Sequence, residues 1–223
     1  MKGFRLFVST IAALILVLAG TPPKTVMFHL DDPVGRNSAR FESQAMLETV
    51  VGSTSDVTGT IEVNPDDIAA NPKVVIQVKL DGLKTGIDRR DDFMKMGYLE
   101  TDKFPSATFT LVKLLKTSSK SLVDQKAVKL TAQGTLEIHG VKKDTIADVT
   151  VTYLKESDAT KGMGPGDLLR VSTQFNAKLS DFGIERPQFM ILRLADDLQI
   201  SMDATATSEK RQPRPPRPAP PPQ

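Results

Sequence analysis

From Thr25 onward the hydrophobic positions recur with a period of two. Val26, Phe28 and Leu30 share one face against Thr25, Met27 and His29. After a turn over residues 32–37, Phe41, Ser43, Ala45, Leu47, Thr49 and Val51 alternate with Glu42, Gln44, Met46 and Glu48. Val57, Gly59, Ile61 and Val63 repeat the pattern up to the turn residues Asn64-Pro65-Asp66-Asp67, and Val74, Ile76, Val78 and Leu80 repeat it again. Strict alternation predicts half-buried strands with one apolar and one wet face. Phe109 and Leu111 lead another strand through Leu114, and residues 128–138 form the longest clean one, turned at its end by His139-Gly140. Residues 147–153, 169–179 and 198–204 complete a set of about eight or nine strands.

One stretch breaks the period: residues 84–109, KTGIDRRDDFMKMGYLETDKFPSATF. Asp88 as N-cap, Asp91 three residues on as its capping-box partner and Gly97 as a stop predict one short helix that closes an end of the sheet. Strands with a single apolar face and tight connections make an antiparallel sheet, and a sheet of this size curls to hide that face and its edges. The expected fold is all-β, an antiparallel up-and-down barrel of about eight strands with one short helix. Gly59, Ala45, Ala132, Gly134 and Ala177 fall on the inward face. Small residues there leave room for a ligand or relieve crowding in a packed core, and periodicity leaves both readings open.

The two ends differ from the middle. Residues 1–20 carry Lys2 and Arg5, an apolar run from Phe7 to Leu18, then Ala19 and Gly20, the pattern of a cleaved signal peptide rather than a retained anchor. This segment predicts a periplasmic or secreted protein. Residues 209–223, EKRQPRPPRPAPPPQ, predict a basic, proline-rich tail, extended and without secondary structure. The domain proper is expected over 21–208. With the ends set aside, the 29 basic and 27 acidic residues of the whole chain become a slight acidic excess, so the calculated pI of 8.7 belongs to the ends and no nucleic-acid footprint is expected. Cysteine is absent, which removes disulfides and thiolate chemistry.

Candidate chemistry is sparse. Two histidines, His29 and His139, offer no metal cluster and no partnered nucleophile, so no catalytic residue, metal or cofactor is assigned. Asp31-Asp32, Asp91-Asp92 and Asp196-Asp197 are adjacent pairs better suited to capping and solvation, and the glycines of 162–166 read as a hairpin loop rather than a phosphate cradle. Arg90 and Asp91 are expected to brace the helix against the barrel rim as a bidentate pair.

Thr85-Gly86, Arg90-Asp91, the run Lys103-Phe104-Pro105-Ser106-Ala107-Thr108-Phe109 and the run from Gly134 to Lys143, GTLEIHGVKK, occur together in this order. The combination resembles the YceI-like family of bacterial envelope proteins over residues 25–206. The resemblance implies a lipocalin-like barrel whose elongated cavity holds a polyisoprenoid or prenyl quinone, usually in the periplasm. Many members carry a histidine shortly after the Arg-Asp pair, where this chain has Phe93, and the stretch between Met94 and Tyr98 is about one residue shorter, so any head-group contact made by that histidine is not carried over.

The leading expectation is therefore a non-enzymatic carrier or sequestering protein for a long apolar lipid. The residues expected to line the tunnel are Phe28, Phe41, Leu80, Phe109, Leu111, Leu136, Val151, Tyr153 and Phe175, with Phe93 and Met94 from the helix at its mouth. The alternative is an envelope stress or interaction protein, with a packed barrel as scaffold and an envelope partner bound by the basic tail. A third reading, an enzyme acting on a lipid head group, rests on Arg90, Asp91 and His139 alone. The identity of the lipid and the oligomeric state are not readable from the sequence.

Overall fold

A computed structural model describes residues 24–211; the predicted signal peptide and nearly all of the tail lie outside them. Ten strands are described: β1 (Val26–Asp31), β2 (Ser38–Gln44), β3 (Thr49–Thr54), β4 (Val57–Val63), β5 (Lys73–Lys79), β6 (Ser106–Thr117), β7 (Ala127–Ile138), β8 (Val141–Leu154), β9 (Leu168–Lys178) and β10 (Asp197–Thr207). All pair antiparallel, β4 through β10 in sequence order. β1 and β2 follow each other along one edge of β10, with His29 opposite Thr207 and Ala39 opposite Met202. β3 and β4 lie on their far side in the same way. The ten segments thus occupy eight positions around a closed up-and-down barrel.

The inward residues follow from the alternation. Val128, Ala132 and Leu136 of β7, Leu169 and Val171 of β9, and Met202, Ala204 and Ala206 of β10 are buried, and the outward neighbours are mostly charged or hydroxylic. β6 carries two register shifts, between Leu111 and Lys113 and between Leu114 and Lys116, which change the phase of its inward set from Phe109 and Leu111 to Leu114.

Two local expectations are corrected. The alternation over 41–51 is not one strand: it folds into the β2–β3 hairpin, closed by a bond from the Ala45 N–H to the Glu48 carbonyl at 3.0 Å. The four-residue turn shifts the phase, so Val50 and not Val51 is buried, while Met46 and Leu47 at the tip are exposed. The helix α1 (Asp88–Met94) forms where expected, but its N-cap position is Ile87, with no side-chain cap. Gly97 does not end it either. The chain continues through a π-helical turn over Lys95–Leu99 and stops at Glu100, which adopts a left-handed φ of 44°.

The two ends of the barrel are built differently. Phe28, Leu30, Tyr153, Leu169 and Ala206 fill one end, and both the first and the last described strands leave from it. The other end carries α1, the β2–β3 turn and the long β9–β10 connection, which holds short 3-10 turns at Ser180–Phe182 and Gln188–Met190.

Candidate functional site: an apolar cavity and its mouth

Inside the barrel lies a cavity of about 330 Å³, lined almost wholly by hydrocarbon. Its walls run from Val63, Leu122 and Leu130 near the filled end to Phe93, Met94, Phe182, Ile184 and Met190 at the other, so the mouth lies beside α1 and the β9–β10 connection. Phe41, Leu80, Phe93, Met94, Phe109, Leu111, Leu136, Val151 and Phe175, all expected on the wall, are on it. Phe28 and Tyr153 are not. Their rings pack edge to face at 6.3 Å and stop the filled end, and the Tyr153 hydroxyl donates to the Asp167 carboxylate. Burial first, then the hydrogen bond to Asp167 and the charge of that carboxylate, push the phenol above its ordinary pKa. Alternation puts Phe28 and Tyr153 inward correctly, but it carries no information on depth along the barrel axis.

The small inward residues divide between the two roles left open by the sequence. Ala132, Ala147 and Ala177 border the cavity. Gly134 does not make room for a ligand: a Cβ there would sit 2.3 Å from Phe109 Cζ and 2.7 Å from the Thr110 carbonyl oxygen. Gly52 plays the same part for Phe41, whose ring would lie 2.2 Å from an added Cβ. Ala45 lies in the β2–β3 turn, outside any strand.

The charged residues of α1 are braces, though not by the expected fork. Arg90 does not pair with Asp91; Thr85 stands between them. The Thr85 hydroxyl donates to Asp91 Oδ1 at 2.6 Å and accepts from Arg90 Nε at 2.8 Å, while the Thr85 N–H also donates to Asp91 Oδ1 at 2.8 Å. Arg90 spends its remaining donors on Glu48 Oε1 at 2.6 Å and the Thr85 carbonyl at 3.2 Å, tying α1 to the β2–β3 turn. Asp91 is fully buried, with Lys84 Nζ 3.8 Å from its Oδ2. Burial pushes its pKa up, and the two Thr85 bonds and the Lys84 charge more than offset this, holding it below the ordinary value.

The family-like motifs also meet in space. Phe104 packs edge to face on His139 with ring centres 4.5 Å apart and fills the space beside Gly140, and His139 Nε2 lies 2.9 Å from Glu100 Oε2. Phe109 occupies the notch left by Gly134. On the far side of the mouth, Asp196 accepts from the Ser180 N–H at 3.0 Å and hydroxyl at 2.6 Å, and Arg186 donates to the Leu194 carbonyl at 2.9 Å. Phe182, Ile184, Met190 and Leu194 escaped sequence reasoning because their connection has no period of two. Among the described residues no group of three or more acidic or histidine side chains is placed to hold a metal ion.

The fold recurs in solved structures. BcnA of Burkholderia cenocepacia matches with a TM-score of 0.60 at 16% identity over 80% of this chain and 99% of that one. A polyisoprenoid-binding domain from Saccharophagus degradans matches with a TM-score of 0.61 at 15% identity over 82% and 98%. The YceI protein of Campylobacter jejuni matches with a TM-score of 0.57 at 25% identity over 75% and 90%. No curated protein sequence matches. The sequence model of the YceI-like domain matches residues 30–206, from the end of β1 to the end of β10, and the chain belongs to the YceI-like family.

Proposed function

We propose that this chain is a non-enzymatic binding protein that carries or sequesters a long apolar lipid, a polyisoprenoid or prenyl quinone, in the barrel interior, and that it works in the periplasm or outside the cell. The observation that carries this reading is the hydrocarbon-lined cavity that opens beside α1. A ligand that buries on the order of 300 Å² of apolar surface there gains about 7 kcal/mol before its ordering costs, which suffices for binding without a charged anchor. The polyisoprenoid-binding domain with the same fold supports the ligand class. The polar groups near the mouth support binding over catalysis: Arg90 and Asp91 are occupied with Thr85 and Glu48, and His139 with Glu100.

Solvent extraction of the purified protein followed by mass spectrometry tests the proposal. A prenyl lipid in the extract is the expected result; no lipid, together with no uptake of added prenyl lipid, overturns it. A contact between the tail and an envelope partner is a separate proposal, favoured by one observation. Arg211, at the root of the tail, is buried against the carboxylate of Asp32 and donates to the Met163 carbonyl at 2.9 Å, so the tail starts from a fixed point at the filled end. Removing residues 212–223, which spares Arg211, should then abolish the partner contact and leave lipid content unchanged.

A further inference from the structure

The apolar surface of the cavity continues onto the outside of the molecule. Three segments surround the mouth: the β2–β3 turn, α1 with its π-helical continuation, and the chain from Gln188 to Leu192. They are tied together by the Leu47 N–H donating to the Leu192 carbonyl at 2.8 Å and by Arg90 donating to Glu48 at 2.6 Å. On these segments Met46 is 84%, Met96 71% and Phe189 72% exposed. Leu47, Ile87 and Leu192 are exposed beside them, and half of the exposed large apolar side chains of the described residues fall in these three short stretches. Such a concentration marks an interaction surface rather than ordinary surface scatter.

Two features identify the partner as a lipid surface. First, the apolar lining of the cavity reaches the surface. Phe93 is half exposed on the rim and also lines the cavity, beside Met94, while Met46, Met96 and Phe189 lie outside it. A ligand that suits a hydrocarbon wall resides in a lipid phase, and it reaches this wall dry only if the rim is in that phase. Second, the exposed Arg89 lies two residues after Ile87 and the exposed Arg193 directly follows Leu192, and neither side chain has a hydrogen-bond or ion-pair partner among the described residues. Guanidinium groups flanking inserted apolar side chains are placed to meet head-group phosphates. Asp88 and Asp92 on the same helix balance this charge, so apolar insertion drives the contact and anionic lipid is not required. A second copy docked mouth to mouth would instead seal both cavities.

We propose that this rim inserts into the interface of a lipid bilayer and that the ligand passes between bilayer and barrel there. The proposal rests on the lipid-binding reading above. The test is flotation with phosphatidylcholine vesicles, with and without phosphatidylglycerol. It compares the wild-type chain with the triple variant Met46→Asp/Met96→Asp/Phe189→Asp and with serine at the same three positions, which removes the apolar groups without adding charge. Uptake of geranylgeraniol from detergent micelles reports the cavity separately. The wild type should float with both vesicle compositions, and both triple variants should partition about a hundredfold less while keeping geranylgeraniol uptake. Wild type that stays in solution, or variants that float equally well, overturns the proposal. A wild-type dimer that the variants break, without flotation, assigns the rim to a second copy and also overturns it. Flotation lost in the variants but no geranylgeraniol uptake by any chain supports the docking and overturns the cargo reading.

Discussion

Replacing Ala132 with phenylalanine separates an open interior from a packed one. Ala132 lies midway along β7, 4% exposed, opposite Leu114 and Ala147, and it borders the cavity. In a packed barrel a phenyl ring there costs about 1–3 kcal/mol or more through overpacking. In a barrel with a cavity of about 330 Å³ the ring has somewhere to go, and burying it returns roughly 1.5–3 kcal/mol, so stability should change by less than about 1 kcal/mol. The ligand pays instead. A ring that removes on the order of 100 Å² of apolar contact weakens binding by about 2.5 kcal/mol, close to seventyfold. The assay is a urea unfolding curve beside the affinity for an added prenyl lipid. Ile146→Phe, at an exposed outward position on the neighbouring strand, serves as control and should change neither. Loss of more than about 1 kcal/mol in Ala132→Phe, or unchanged lipid affinity, would refute the reasoning.

Other outcomes follow from the contacts that shape the cavity. Gly134→Ala drives a Cβ into the Phe109 ring and the Thr110 carbonyl and should cost about 1–3 kcal/mol in urea unfolding, partly recovered when Phe109 is also changed to leucine. Thr85→Val leaves Asp91 and Arg90 each short of a hydrogen bond and should cost about 2–3 kcal/mol by the same measurement, whereas Thr85→Ser should cost much less. The Asp32 carboxyl, held far below its ordinary value chiefly by its hydrogen bonds from Arg36 and also by Arg211, contributes stability that is present above an ordinary carboxylate pKa of about 4 and lost as pH falls toward its folded value. Asp91 acts in the same direction. Urea midpoints at about pH 7 and pH 3 should therefore differ less for Asp32→Asn than for the wild type.

The alternation of Val128 through Ile138 and of Leu169 through Leu179 made the barrel legible, because burial on one side of a pleated strand leaves a period that needs no partner to be read. What it could not convey was position along the axis, so Phe28 and Tyr153 were expected on the wall and instead stop one end. Nor could it mark the turn at Ala45–Glu48, since a four-residue reversal in an alternating run keeps the same letters in the same order. The brace at Thr85 was invisible for another reason: hydrogen bonds between a loop hydroxyl and two helix side chains have no periodic signature. Aromatic rings seated over Gly52 and Gly134 are likewise pairings between distant strands, legible only as glycines that disturb a strand pattern.

Both described termini leave from the filled end, while the opening lies at the opposite pole. A strand of 12 residues such as β7, tilted as barrel strands are, separates the two poles by roughly 30 Å. A fluorophore attached at residue 24 or at residue 211 is therefore held a barrel's height from the cavity mouth. Immobilising the protein through the exposed Lys24 would leave each molecule with its mouth facing the solvent.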